Sequence, residues 1–200
     1  MKIVFFGDSV TASGRDLADP ASLGNGYVYI LHEKLKNLYE NVEFECLNRG
    51  RDGDMLSDLA ARVQEDVVAE EPDVVVLLAG INDVVLRAPG TAFDAAAFAA
   101  AYVQILSAIK GSGAKLIVAE PFLFDVPEKR RFRPAFREAL AAVRSIAREY
   151  ADGFAALDEI FAGVSGNAGI AAYSLDGVYP THRAARLIAD TLIKKIRLYL

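Results

Sequence analysis

A serine hydroxyl is a weak nucleophile until a base takes its proton, and attack on an ester carbonyl needs donors already in place for the oxyanion that forms. Four stretches of this chain hold residue types suited to those tasks. Ser9 closes Gly7-Asp8-Ser9. Gly53 lies in Asn48-Arg49-Gly50-Arg51-Asp52-Gly53-Asp54. Asn82 lies in Gly80-Ile81-Asn82-Asp83, and Asp176 opens Asp176-Gly177-Val178-Tyr179-Pro180-Thr181-His182. The Ser9 and Gly53 backbone N–H groups and the Asn82 side-chain amide can supply three oxyanion donors. Glycine at 53 leaves no Cβ in the way of a close approach. Each stretch alone reads as an ordinary turn, since such residues are common at strand ends. Their weight comes from where all four fall.

Each comes after a predicted strand. Lys2 to Gly7 is a short apolar run that ends at a turn signal, and reads as strand one. Residues 9–25 read as a loop rich in Gly, Ser and Asp. Tyr27 to Tyr39 carries Val28, Leu31, Leu35 and Leu38 at helical spacing, with His32 beside the stripe as a surface or boundary histidine. Val42 to Leu47 reads as strand two, with residues 48–54 as the loop after it. A helix comes next, with Leu56, Leu59, Val63 and Val67 on one face and Asp54 as N-cap. The β-branched run from Val74 to Ala79 reads as a central parallel strand buried on both faces. An Ala-rich helix is predicted over about 92–109, strand four over Lys115 to Ala119, and a helix reaching Tyr150. Strand five is predicted over Gly153 to Leu157, a brief helix near 158–164, and a last helix over about 183–199. This alternation predicts a five-stranded parallel sheet with helices on both faces. All the carboxyl ends then share one edge, where open α/β sheets bind their ligands.

Composition narrows the class. Two hundred residues suit one domain over residues 1–200, and 53% hydrophobic with 24% charged residues is ordinary for a soluble globular protein. The net charge of −5 argues against a nucleic-acid partner, and Arg130, Arg131 and Arg133, the one basic cluster, read as solvated. Cys46 is the sole cysteine, so no internal disulfide can form, and it reads as a small core residue. Strand one begins at once, with no charged-then-apolar leader, and no apolar stretch is long enough to span a bilayer. The expectation is a cytoplasmic protein with no membrane partner. A nucleotide or phosphate binder fits less well, because the loop after strand one has only Gly7 and Gly14 rather than a glycine-rich phosphate cradle.

On these residues the chain resembles the SGNH (GDSL-type) esterases and lipases, and most of all the bacterial members that remove acetyl groups from xylo-oligosaccharides. Gly7-Asp8-Ser9 is similar to the first block of that family, which carries the nucleophile. Asn48-x-Gly50-x-x-Gly53-Asp54 is similar to the second, and Gly80-x-Asn82-Asp83 to the third; the later glycine and the asparagine are the oxyanion donors there. Asp176-x-x-x-Pro180 is similar to the last. The likeness covers nearly the whole chain, including Gly24-Asn25-Gly26-Tyr27. It implies a three-layer flavodoxin-like fold with strand order 2-1-3-4-5. It also implies an acyl-serine intermediate at Ser9, a small-molecule ester substrate such as an acetylated oligosaccharide, no metal and no organic cofactor. The absence of a long apolar lid segment implies a short acyl group. A homo-oligomer is left open.

One position departs from the family. Its last block is Asp-x-x-His-Pro, in which the histidine is the general base and the aspartate orients it. Here Tyr179 stands at the histidine position. A phenol, with a reference pKa of about 10, stays protonated at neutral pH and makes a poor base there. His182 is three residues further on, and reads first as a solvent-facing residue of a helical first turn. Three accounts stand: a substitution that disables the base, a weak or non-catalytic ligand-binding protein, or His182 acting in its place. Asp8 and Asp83 sit beside catalytic candidates and are expected to brace their loops by accepting backbone N–H bonds.

Overall fold

The computed structural model describes residues 1–87 and 90–200. Strands β1 (Lys2–Gly7), β2 (Glu45–Gly50), β3 (Val74–Leu78), β4 (Lys115–Ala119) and β5 (Gly153–Ala155) form one parallel sheet in the order 2-1-3-4-5. The helices are α1 (Ser9–Ala12), α2 (Tyr27–Leu38), α3 (Leu56–Asp66), α4 (Asn82–Val85), α5 (Ala95–Gly111), α6 (Arg133–Tyr150), α7 (Leu157–Ala168) and α8 (His182–Ile196). No helix among the described residues is long and apolar enough to cross a membrane.

Side chains alternate across a strand, so each strand feeds two cores. Ile3, Phe5, Val74, Val76 and Ile117 pack with Leu31 and Leu35 of α2 and Ile188 and Leu192 of α8. Val4, Phe6, Val75, Leu77 and Val118 pack with α3, α5 and α6 through Leu59, Val63, Tyr102, Ile105 and Phe136. The sheet is therefore covered on both faces, which is why β3 reads as an unbroken apolar run. Cys46 is buried, as expected, and burial pushes its thiol up to about 12. His32 is half-buried on α2, and Arg130 and Arg131 are exposed while Arg133 is half-buried.

Several boundaries differ from those predicted. The start of the long loop is a helical turn, α1, whose N-cap Asp8 accepts the Val10 N–H at 3.0 Å. Strand two begins later, because Val42 is held in a turn by Tyr39, and it extends to Gly50, which pairs with Gly7. Asn48, Arg49 and Gly50 thus belong to β2 rather than to a loop. Helix α5 starts at Ala95, capped by Asp94 through the Ala97 N–H at 2.9 Å. The basic stretch Pro127–Phe132 is a 3-10 turn before α6, and β5 stops at Ala155. Helix α7 starts where predicted, with the buried Glu120 carboxylate accepting the N–H of Asp158 at 3.0 Å in its first turn, and runs on to Ala168, where Gly169 at φ +76° ends it. The last helix ends at Ile196 in a further 3-10 turn.

Candidate active site

The chain leaves β1 at Gly7 and β3 at Leu78, and these two residues are register partners in neighbouring strands. Strand β2 lies on the other side of β1, so the connections after β1 and β3 diverge at this point. Such a switch in strand order opens a crevice at the carboxyl edge. Ser9 begins α1 on one side of it and Asn82 begins α4 on the other. Gly7 must be glycine: a Cβ there would lie 2.2 Å from the Leu78 carbonyl oxygen and 2.5 Å from Thr11 Oγ1. That close approach draws the Ser9 turn against β3. Thr11 Oγ1 in turn shares a 2.9 Å hydrogen bond with the Tyr27 hydroxyl, and the Asn48 amide donates to the Thr11 carbonyl at 2.9 Å. The turn that carries Ser9 is fixed from α2, β2 and β3.

The loop with Gly53 is tied to both neighbours. The Arg51 N–H donates to the Gly7 carbonyl at 3.2 Å, and Asn82 Nδ2 donates to the Asp54 carbonyl at 2.9 Å. An amide nitrogen carries two N–H groups. One is committed to Asp54, which fixes the plane of the Asn82 amide, and the other remains to donate. The N–H groups of Ser9 and Gly53 make no hydrogen bond among the described residues. Gly53 sits at φ +81°, a left-handed conformation that favours glycine, and a Cβ there would meet nothing within 4 Å. That backbone conformation is by itself a reason for glycine at this position. Ser9 and Asn82 are both almost buried, at 5% and 4% exposure.

Carboxylates surround this crevice. Asp8 is fully buried, and loss of solvation pushes its carboxyl up to about 7, with Asp83, Asp54 and Asp52 adding to the rise. Burial likewise pushes Asp83 up to about 6, and both of its oxygens accept the Leu56 N–H at 3.2 Å. Both brace backbone, as expected of them. Asp54 does not cap α3. Met55 takes the cap position, with its N–H donating to Asp58, and the Asp54 carboxylate instead accepts from Arg62 Nε at 2.7 Å. Sequence reasoning missed Arg62. It lies on the edge of the apolar stripe of α3, four residues before Asp66, and that spacing was the one local signal for a paired, inward-turned arginine.

The last stretch forms a closed turn on the same edge. Ser174 and Pro180 bridge, Ser174 Oγ donates to the Tyr179 carbonyl at 2.7 Å, and Phe124 N–H donates to the Gly177 carbonyl at 2.9 Å. Val178 is buried in the cluster that holds Ile81 and Val84, on either side of Asn82. Asp176 Oδ1 accepts the backbone N–H groups of Val178 at 3.0 Å and Tyr179 at 2.8 Å, and lies 3.2 Å from Ser174 Oγ, whose proton goes to the nearer Tyr179 carbonyl. Its second oxygen makes no hydrogen bond among the described residues. Tyr179 is 55% exposed, and neither its hydroxyl nor that of Ser9 has a hydrogen-bond partner among them. Asp176 thus holds the backbone of residue 179, not its ring. His182 is exposed in the first turn of α8 and lines a separate cavity of about 420 Å³ with Val164, Tyr173, Arg183, Arg186, Leu187 and Asp190. Hydrogen bonds from adjacent residues join the Gly53 loop to the end of β1, two residues before Ser9, and to Asn82, whereas His182 lines a different cavity.

Residues 5–187 match the model of the GDSL-like lipase/acylhydrolase family. The chain belongs to that family. By this kinship it is an esterase of the SGNH type. It is 27% identical to an acetylxylan esterase from Geobacillus stearothermophilus over 208 residues, covering 98% of this chain and 93% of that one. Among the solved structures of that enzyme are catalytic mutants in which alanine replaces a serine, an aspartate and a histidine, the last two three positions apart. The histidine mutant superposes with a TM-score of 0.88 at 27% identity, over 98% of this chain and 93% of that one. A GDSL-like lipase candidate from Parabacteroides merdae gives 0.90 at 26% identity, over 98% and 95%.

Proposed function

We propose that this chain hydrolyses short acyl esters, acetylated oligosaccharides in particular, through an acyl intermediate on Ser9, and that it turns over slowly because Tyr179 stands where the base is needed. The observation that carries the reading is the hydrogen-bonded join of the Gly53 loop to Gly7 on one side and to Asn82 on the other. This join supports a set of three donors near the start of α1, none of which has a second acceptor among the described residues. Ser9 Oγ attacks the ester carbonyl, and the carbonyl oxygen takes up negative charge. The Ser9 and Gly53 N–H groups and the free N–H of Asn82 hold that charge. As the adduct collapses, the bond from the carbonyl carbon to the alcohol oxygen breaks, the alcohol leaves with a proton that replaces the one lost from Ser9, and the acyl group stays on Ser9 Oγ. Water then adds to this acyl-serine, and the bond to Ser9 Oγ breaks to release the free acid and restore the serine hydroxyl.

The acetyl and sugar parts come from kinship with the Geobacillus enzyme. That enzyme's catalytic aspartate and histidine are three residues apart, the spacing of Asp176 and Tyr179. In this chain the proton of Ser9 therefore has no imidazole to receive it, and turnover rests on the oxyanion donors and on substrate binding, which alone leave roughly 10³-fold catalysis over water. A second reading, a ligand-binding protein without turnover on the same fold, draws on Tyr179 alone. Hydrolysis of p-nitrophenyl acetate and of acetylated xylo-oligosaccharides separates the two. Slow release that disappears in Ser9→Ala supports the esterase, and release equal to that of Ser9→Ala supports the second reading.

A further inference from the structure

We propose that Arg62 is the positioning residue of the oxyanion site, and that it orients the Asn82 amide through Asp54. The inference rests on the esterase reading above. Arg62 is 8% exposed, and it shares the inner side of its helix with the buried Asp66 while Asp58 and Glu65 of the same helix face solvent. Its guanidinium uses all three nitrogens. Nε donates to Asp54 Oδ2 at 2.7 Å, and one terminal nitrogen donates to Asp66 Oδ2 at 2.6 Å and to the Arg49 carbonyl at 2.9 Å. The other donates to the Gly7 carbonyl at 3.1 Å, and the group lies 4.5 Å from the centre of the Phe6 ring.

These partners are the last residue of β1, the penultimate residue of β2 and the far end of the Gly53 loop. One rigid fork thus fixes three backbone segments at a single point, two residues before Ser9 and one residue after Gly53. A planar guanidinium suits this, because its donors diverge in a fixed plane, whereas an ammonium is a point charge on a flexible stem. The charge is matched as well: Arg51 also donates to Asp66 Oδ2 at 3.0 Å, so two arginines face Asp54 and Asp66. The residue that Arg62 holds by its carboxylate, Asp54, offers its carbonyl to Asn82 Nδ2 at 2.9 Å. Arg62 touches none of the groups that would meet substrate. It acts on the N–H of Asn82 through one intervening residue.

The test has two readouts, one of them independent of activity. In the otherwise unaltered chain, the side-chain NH₂ protons of Asn82, assigned by comparison with Asn82→Asp, report the bond to Asp54. Arg62→Lys should move these resonances and speed their exchange. In the Tyr179→His chain, which supplies a base, Arg62→Lys should lower kcat for p-nitrophenyl acetate by roughly ten- to a hundredfold, the range for misplaced or lost oxyanion donors, with KM little changed. Asp54→Ala keeps the carbonyl but removes the carboxylate. It should act in the same direction, and it serves as the second variant should Arg62→Lys fail to fold. Unmoved Asn82 resonances in a folded variant would overturn the proposal. So would moved resonances with unchanged kcat, while Ser9→Ala still abolishes turnover. If the Tyr179→His chain shows no Ser9-dependent turnover at all, the esterase reading falls and the catalytic role of Arg62 falls with it.

Discussion

Replacing Tyr179 with histidine should raise esterase activity by at least about two orders of magnitude, equal to about 2.7 kcal/mol of barrier and the lower range for general-base catalysis. The structure explains why the exchange is tolerated. The backbone at 179 is held by Asp176 Oδ1 on its N–H and by Ser174 Oγ on its carbonyl, and neither bond involves the ring. The ring is 55% exposed, so little apolar burial is lost, and stability should change by no more than the ~0.5 kcal/mol usual for surface sites. The second oxygen of Asp176 is free to accept the N–H of an imidazole, which would fix its tautomer and stabilise the imidazolium formed when Ser9 gives up its proton. The assay is the initial rate of p-nitrophenyl acetate hydrolysis from pH 5 to pH 9. The histidine variant should show a plateau above a transition near the ordinary histidine value of about 6.5, which the tyrosine chain should lack. A gain of less than tenfold, or a gain without that transition, would refute the argument. Brisk turnover by the tyrosine chain that vanishes in His182→Ala would make His182 the base.

Other consequences can be measured on the same material. In the Tyr179→His chain, Asp176→Asn should cost at least about a hundredfold in kcat, whereas Asp83→Asn should mainly weaken the fold, by about 1 kcal/mol for the altered bonds to Leu56; the reverse pattern would exchange their roles. Asp8 predicts a pH dependence of stability. Its folded-state value of about 7 lies above the ordinary 3.8, so the folded protein holds this proton more tightly than the unfolded chain does. The resulting stability is full below about pH 4 and is lost as pH rises through 7. Asp8→Asn, which cannot ionise, should gain about 2–3 kcal/mol relative to the parent between pH 5 and pH 8 in urea melts, and parallel curves would refute the assignment.

The sheet and its order were legible because each strand is an apolar run closed by a turn signal, and because β3, covered on both faces, is continuous in Val and Leu. Ser9, Gly53, Asn82 and Asp176 could be singled out as candidates for a related reason: parallel strands place the residues beyond their carboxyl ends on one edge. The start and end of β2 were not legible. Asn48 is fully buried at the end of an edge strand, where its amide bonds the Thr11 and Leu23 carbonyls, and a polar residue turned inward looks like a loop. Helix α1 is four residues long, too short to show a period. Arg62 was hidden for another reason. Most of its partners are carbonyls and a carboxylate that approach only after β1, β2 and α3 have packed, and no local spacing encodes them.

The central claim is that Ser9 carries the acyl group. Brief incubation of the Tyr179→His chain with p-nitrophenyl acetate, acid quenching and peptide mass mapping tests it directly. A single added acetyl group on the peptide that contains Ser9, absent from the same peptide of the Ser9→Ala chain, is the expected result. Turnover that persists in Ser9→Ala, or an acetyl group that maps to another residue, would contradict it.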